Sequence, residues 1–205
     1  MLPPDPAQDR DVIRREMRSA RATLSTREIA DAAARLVERI SALPGYAHAA
    51  SLTGYLAMAG EMDPLPAMRR ALADGKCCYV PVISGERLRF APWTPDSLVR
   101  ENRFGILEPV IATEQLQLPA AMELVLVPLV AFDVYCNRIG MGGGYYDRSF
   151  AGHTAGGARL LAGIAHEMQK VDTLAVQPWD VTLDCVVTES HTYWPDAAPQ
   201  TWDNI

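Results

Sequence analysis

An apolar run at 49–58 (AASLTGYLAM) is followed by a helix-start signal at Asp63-Pro64 and by Leu65, Met68 and Leu72 at helical spacing. A stop at Gly75 leads at once into a second apolar run at 77–83 (CCYVPVI). Two strands joined through a helix are predicted to pair in parallel, because a parallel pair needs a crossover and the helix supplies it. That unit commits the chain to an α/β fold. Ser84-Gly85-Glu86 then turns the chain into 87–93 (RLRFAPW), a hairpin that makes the sheet mixed.

The flanking segments extend this pattern. Ile13, Met17, Ala20 and Leu24 repeat at helical spacing across residues 10–24, with Arg10, Arg14, Arg18 and Arg21 on the neighbouring stripe. Ser25 and Glu28 form a capping box that opens a second helix, with Ile29, Ala33, Leu36, Val37 and Ile40 on one face and a stop at Leu43-Pro44-Gly45. Residues 94–121, rich in Pro and polar groups, predict an excursion with one short helix at most. The run 123–132 (ELVLVPLVAF) reads as one strand, residues 145–152 begin a helix, and 160–165 and 185–188 complete six or seven strands. The expected architecture is a single-domain three-layer sandwich, with a mostly parallel mixed sheet and helices on both faces. It spans 1–205, with residues 1–9 as a flexible N-terminus.

Composition narrows the function. Hydrophobic residues at 49% and charged residues at 21% fit a globular chain and exclude disordered or collagen-like classes. No apolar run approaches the ~20 residues that span a bilayer, and MLPPDPAQDR lacks the apolar stretch of a signal peptide. A cytoplasmic location is therefore expected. Cys77, Cys78, Cys136 and Cys185 include no C-x-x-C and read as reduced thiols. His48, His153, His166 and His191 show no metal-ligand spacing, and no G-x-S-x-G elbow is present. A net charge of −6 disfavours nucleic acid and anionic membranes as partners. An anionic small molecule would need a local cluster of basic groups.

The segment NRIGMGGGYYDR (137–148) follows a strand and precedes a helix, the position of an anion site. Its glycines let the backbone approach a phosphate, and successive N–H groups can meet its oxygens. It is neither a Walker A loop nor a dinucleotide fingerprint, and a plain flexible loop is the alternative. Asp147 and Asp184 each sit beside a strand end where carboxylates could share Mg²⁺ with phosphates, or else could cap and pair locally. Glu61 lies beyond a strand C-terminus, where α/β sheets bind ligands, or is a surface loop carboxylate. Arg18 and Arg21 are expected on a solvated face.

With these segments in view, the chain resembles the 5-formyltetrahydrofolate cyclo-ligase family nearly end to end. The resemblance rests on R10-x-x-x-R14, YLAMAGEMD (55–63), FGILEP (104–109), PLVAFD (128–133), RIGMGGGYYDR (138–148) and WDVTLDCVVTE (179–189). It implies a fold of the ribose-phosphate isomerase and CoA-transferase type, ATP as co-substrate, Mg²⁺ and a folate substrate; separately, a monomer is expected. Arg10, Arg14 and the loop Arg138, Ile139, Gly140, Met141, Gly142, Gly143, Gly144, Tyr145 and Tyr146 resemble the ATP-binding positions. Leu56, Glu61 and Met141 to Tyr145 resemble the folate positions, and Asp147 and Asp184 the metal ligands. The chain departs from the family at Arg10 and Gly143, where lysine is common. A sugar-phosphate isomerase, a CoA-transferase and a non-catalytic folate- or RNA-binding relative are the competing classes.

Overall fold

The computed structural model describes residues 6–58 and 60–195. Of the segment 1–9, residues 1–5 lie outside the described residues and Pro6 already belongs to a helix. The chain opens with α1 (Pro6–Arg21) and α2 (Thr26–Ser41), then β1 (Ser51–Thr53), α3 (Leu65–Ala73), β2 (Cys77–Ser84) and β3 (Arg87–Pro92). There follow β4 (Val99–Glu101), β5 (Leu107–Pro109), β6 (Leu124–Pro128), β7 (Ala131–Phe132) and β8 (Arg138–Ile139). α4 (Tyr145–Ser149), β9 (Leu160–Ile164), β10 (Cys185–Val187) and β11 (Thr192–Tyr193) complete the order.

Local chemistry explains the boundaries. The Ser25 side chain accepts from Glu28 N while Glu28 reaches back to Ser25 N, the expected box at the start of α2. Asp63 Oδ1 accepts from Leu65 N at 2.9 Å and starts α3. β1 is shorter than the expected 49–58 run, because the chain leaves the sheet after Thr53. At Gly54 the helix comes so close that a Cβ would lie 2.4 Å from Met68 Sδ.

Seven strands form one sheet in the order β11-β10-β9-β6-β1-β2-β3. The five central strands run parallel, and antiparallel β3 and β11 close the edges. Alternation along each strand makes two cores. Leu124, Leu126, Leu160, Ala162, Cys185 and Val187 point to the side of α2 and α3. Val125, Val127, Leu161 and Val186 point to the opposite side, against Phe132, Phe150 and Leu183. The second layer is thinner, built from the short α4 and irregular chain.

Two expectations change. Residues 94–121 contain the β4–β5 ladder and two 3₁₀ turns, at Thr113–Gln115 and Pro119–Ala121. The run 123–132 is not one strand: β6 ends at Pro128, and β7 pairs with β8 in a separate ladder. The break is held by a residue 40 positions away. Buried Gln169 donates from Nε2 to the carbonyls of both Leu129 and Val130 at 2.9 Å, replacing the ladder partners that the bend gives up. Gln169→Leu leaves both acceptors unmet and should cost about 3 kcal/mol, read as a lowered denaturant midpoint at unchanged slope.

Candidate active site

β1 leads through α3 to β2 on one side, whereas β6, on the other side of β1, leads away to β9 and β10. The order of strands therefore reverses between β1 and β6, and their C-terminal ends part to leave a crevice, the usual ligand position in an open α/β sheet. Tyr55, Leu56, Met58 and Glu61 line it after β1, and Pro128 and Leu129 at the end of β6. α1 crosses above, with Ile13 and Met17 packed on Ala131, Ile139 and Leu174. The cavity measures about 1470 Å³, beyond the ~300–1000 Å³ common for one small ligand. It has room for two.

Six arginines line the cavity: Arg10, Arg14, Arg18, Arg21, Arg138 and Arg148. This is the local basic cluster that an anion would need in a chain of net charge −6. Five carboxylates, Asp11, Glu61, Glu108, Asp147 and Asp180, stand among them. Arg14 clamps the glycine loop, donating from Nε to Gly140 O at 2.9 Å. Its guanidinium carbon is 3.8 Å from where a Cβ on Gly142 would lie, and Gly142 has φ +101°. The main-chain N–H groups of Met141 to Gly144 donate to no backbone acceptor among the described residues. Arg148 grips the far side of the loop, from Nη2 to Gly143 O at 2.7 Å and from Nε to Glu86 O at 2.6 Å. Arg10 forms a two-pronged pair with Asp180, at 2.9 and 3.3 Å. An ammonium could not reproduce that fork, which gives the arginine at this position a structural reason.

At the other end, Glu61 folds back on its own turn, its Oε2 accepting from Met58 N at 3.1 Å. Burial raises its carboxyl above the ordinary range, opposed by the Met58 N–H and by the charge of Arg21. Tyr55 donates to Met62 O at 2.8 Å. Burial, followed by the charge of Glu61, pushes the phenols of Tyr55 and Tyr146 upward, so both remain neutral near pH 7. Asp147 lines the cavity, its Oδ1 accepting from Arg138 Nη2 at 2.7 Å and from Val181 N at 3.1 Å. Asp184 does not line it. Its Oδ2 contacts His153 Nε2 at 2.9 Å and accepts from Leu161 N at 2.6 Å, while Oδ1 is buried without a partner. His153 itself is on the wall.

A sequence model described as the 5-formyltetrahydrofolate cyclo-ligase family matches residues 6–189. The chain belongs to the 5-formyltetrahydrofolate cyclo-ligase family. It is 31% identical to the 5-formyltetrahydrofolate cyclo-ligase of Escherichia coli K12 over 180 residues, covering 86% of this chain and 98% of the relative. The Haemophilus influenzae cyclo-ligase is 30% identical over 179 residues, 86% of this chain and 95% of the relative. The Aquifex aeolicus 5,10-methenyltetrahydrofolate synthetase structure superposes with a TM-score of 0.78 at 26% identity, covering 93% of this chain and 94% of that one. The expected sheet class therefore holds, and the chain is an ATP-dependent ligase of folate metabolism.

Of the cyclo-ligase positions named from the sequence, all but Ile139 and Asp184 line the one cavity. Ile139 is core beneath the loop, and Asp184 stands behind His153. Of the local alternative for Asp147, the pairing holds, with Arg138 as partner, but the capping does not: Asp147 lies inside α4, whose N-cap is Gly144 with no side-chain bond. Arg21 corrects the solvated-face expectation, being buried on the wall beside Glu61. Asp180 and Arg148 were legible as part of the motifs, but no spacing rule ties them to Arg10 or Gly143. Arg14→Ala should raise the KM for ATP by about tenfold through loss of loop clamp and charge. Arg15→Ala, exposed on the same helix and away from the cavity, should stay within about twofold in the same steady-state assay.

Proposed function

We propose that the cavity holds ATP and 5-formyltetrahydrofolate together, the nucleotide toward the glycine loop and α1, the folate toward Leu56 and Glu61. What carries the reading is the convergence of Arg14, the open loop amides and Glu61 on one space large enough for both. The N5-formyl oxygen is a poor leaving group. Transfer of the γ-phosphoryl group to that oxygen makes it a good one, N10 then attacks the formyl carbon, and phosphate departs as the methenyl bridge closes. Such transfer needs position and neutralised charge more than a protein nucleophile. Arg14 holds the loop, the amides of Met141 to Gly144 face phosphate oxygens, and Arg138 fixes Asp147.

Mg²⁺ fits this site through Asp147, a cavity carboxylate beside the phosphate loop; the ion requires only one or two carboxylates when phosphates and water complete its shell. When bound, it neutralises charge on the transferring phosphoryl group. Asp184 acts through His153, as a positioning residue. The cavity is complete within one chain, which supports a monomer, and four unpaired cysteines suit a reducing cytoplasm. The test is to mix the protein with ATP, Mg²⁺ and 5-formyltetrahydrofolate. Equimolar ADP, phosphate and methenyl product are expected, and ADP release independent of folate contradicts the reading.

A further inference from the structure

Arg21 ends α1 and is 2% exposed, although it carries a permanent charge. Its Nε and Nη1 are buried without hydrogen-bond partners. Native structures rarely bury such donors unmet, so the position calls for an explanation. The neighbouring carboxylate is Glu61, with Oε1 3.8 Å from Arg21 Nη1, inside Coulombic range but beyond a hydrogen bond. Two features hold the groups at that separation. Gly60 has φ +75°, and a Cβ there would lie 2.9 Å from the Arg21 carbonyl oxygen, so this turn can dock on the end of α1 only with glycine. Glu61 N donates to Met58 O at 2.9 Å, and Met58 N fixes Oε2, which leaves Oε1 as the oxygen facing Arg21.

Arg21 is the cation that acts on the Glu61 carboxyl, while Arg138 acts on the neighbouring Tyr146. Tyr55 and Tyr146 remain neutral phenols, Asp63 is acidic, and burial lowers His166 toward its neutral form. Arg21 is fully covered whereas the Glu61 side chain is 16% exposed and lines the cavity. The cation sits behind and the anion in front.

We propose that Arg21 is a positioning residue for the folate half of the site, its buried guanidinium holding the Glu61 carboxylate as an anion aimed into the cavity. The proposal rests on the assignment of Glu61 to the folate. Only the ionised carboxylate is an acceptor on both oxygens, as the amino and ring N–H donors of a pterin require. Removing the cation leaves only the Met58 N–H to oppose burial, so Glu61 holds its proton to higher pH and its ionised fraction falls further as pH falls.

The test is the KM for 5-formyltetrahydrofolate from about pH 8 to about pH 6, in wild type, Arg21→Met, Arg21→Lys, Glu61→Gln and the Arg21→Met/Glu61→Gln pair. Arg21→Met should raise that KM about tenfold at the acid end and less at the alkaline end, with the KM for ATP unchanged. Arg21→Lys, which keeps the charge, should recover most of the loss. In the Glu61→Gln background the Arg21→Met step should add nothing, since the residue acts through Glu61. Arg21→Gln gives the same reading if Arg21→Met fails to fold. A wild-type pH profile in the Arg21 variants, or an equal cost in the Glu61→Gln background, overturns the proposal. Near-normal folate kinetics in Glu61→Gln alone overturns the folate assignment on which it rests.

Discussion

Asp147→Asn should lower kcat at saturating ATP by about a hundredfold, close to 2.7 kcal/mol of transition-state stabilisation, while the protein unfolds within a few degrees of wild type. The split follows from the contacts. Asn keeps an oxygen that can accept from Arg138 Nη2 and Val181 N, so the buried arginine is not stranded and the 180–182 segment stays docked. What disappears is the negative charge at the phosphate end of a cavity rich in arginine. The KM for Mg²⁺ should rise with it, since that charge supplies the protein's hold on the ion in this account. Unchanged Mg²⁺ dependence in Asp147→Asn would move the ion elsewhere. Asp184→Asn provides the contrast: it alters a carboxylate that touches His153 and the Leu161 amide, so its effect should fall on kcat without a comparable change in the Mg²⁺ requirement.

Glu61→Gln should cut kcat/KM for 5-formyltetrahydrofolate by tenfold or more while leaving the KM for ATP near wild type. A charge-assisted hydrogen bond in a dry site is worth roughly 1.5–3 kcal/mol, whereas a surface Glu→Gln change usually stays within about 0.5. The two magnitudes separate a ligand from a loop carboxylate. The amide oxygen can still accept from Met58 N, so the turn stays closed, but buried Arg21 loses its counter-charge and the melting temperature should fall by a few degrees. Burial already disfavours the charged form, so the neutral variant removes a desolvated charge as well as a ligand contact.

How much of this was legible in the chain depends on the distance over which each feature is determined. The Ser25–Glu28 box, the Asp63-Pro64 start and the Ser84–Glu86 hairpin are settled within four residues, and each appears where the residues place it. The glycine loop was legible for the same reason, since its conformational demand lies in its own residues. The split between β6 and β7 was not. ELVLVPLVAF alternates well enough for one strand, and the side chain that stabilises the bend comes from Gln169. Arg21 was misread because helical spacing places it on the arginine stripe, while its burial depends on Gly60 and the turn that carries Glu61. Asp184 likewise looks like a strand-end carboxylate until His153, 31 residues earlier, is seen to cover it.

The most direct test is a structure of the ternary complex with a non-transferable ATP analogue, Mg²⁺ and 5-formyltetrahydrofolate. The account predicts the triphosphate on the amides of Met141 to Gly144, the pterin edge on Glu61, and the γ-phosphorus about 3–3.5 Å from the formyl oxygen in line for transfer. A nucleotide bound outside the cavity between α1 and the glycine loop, or a pterin lying away from Glu61, would contradict it.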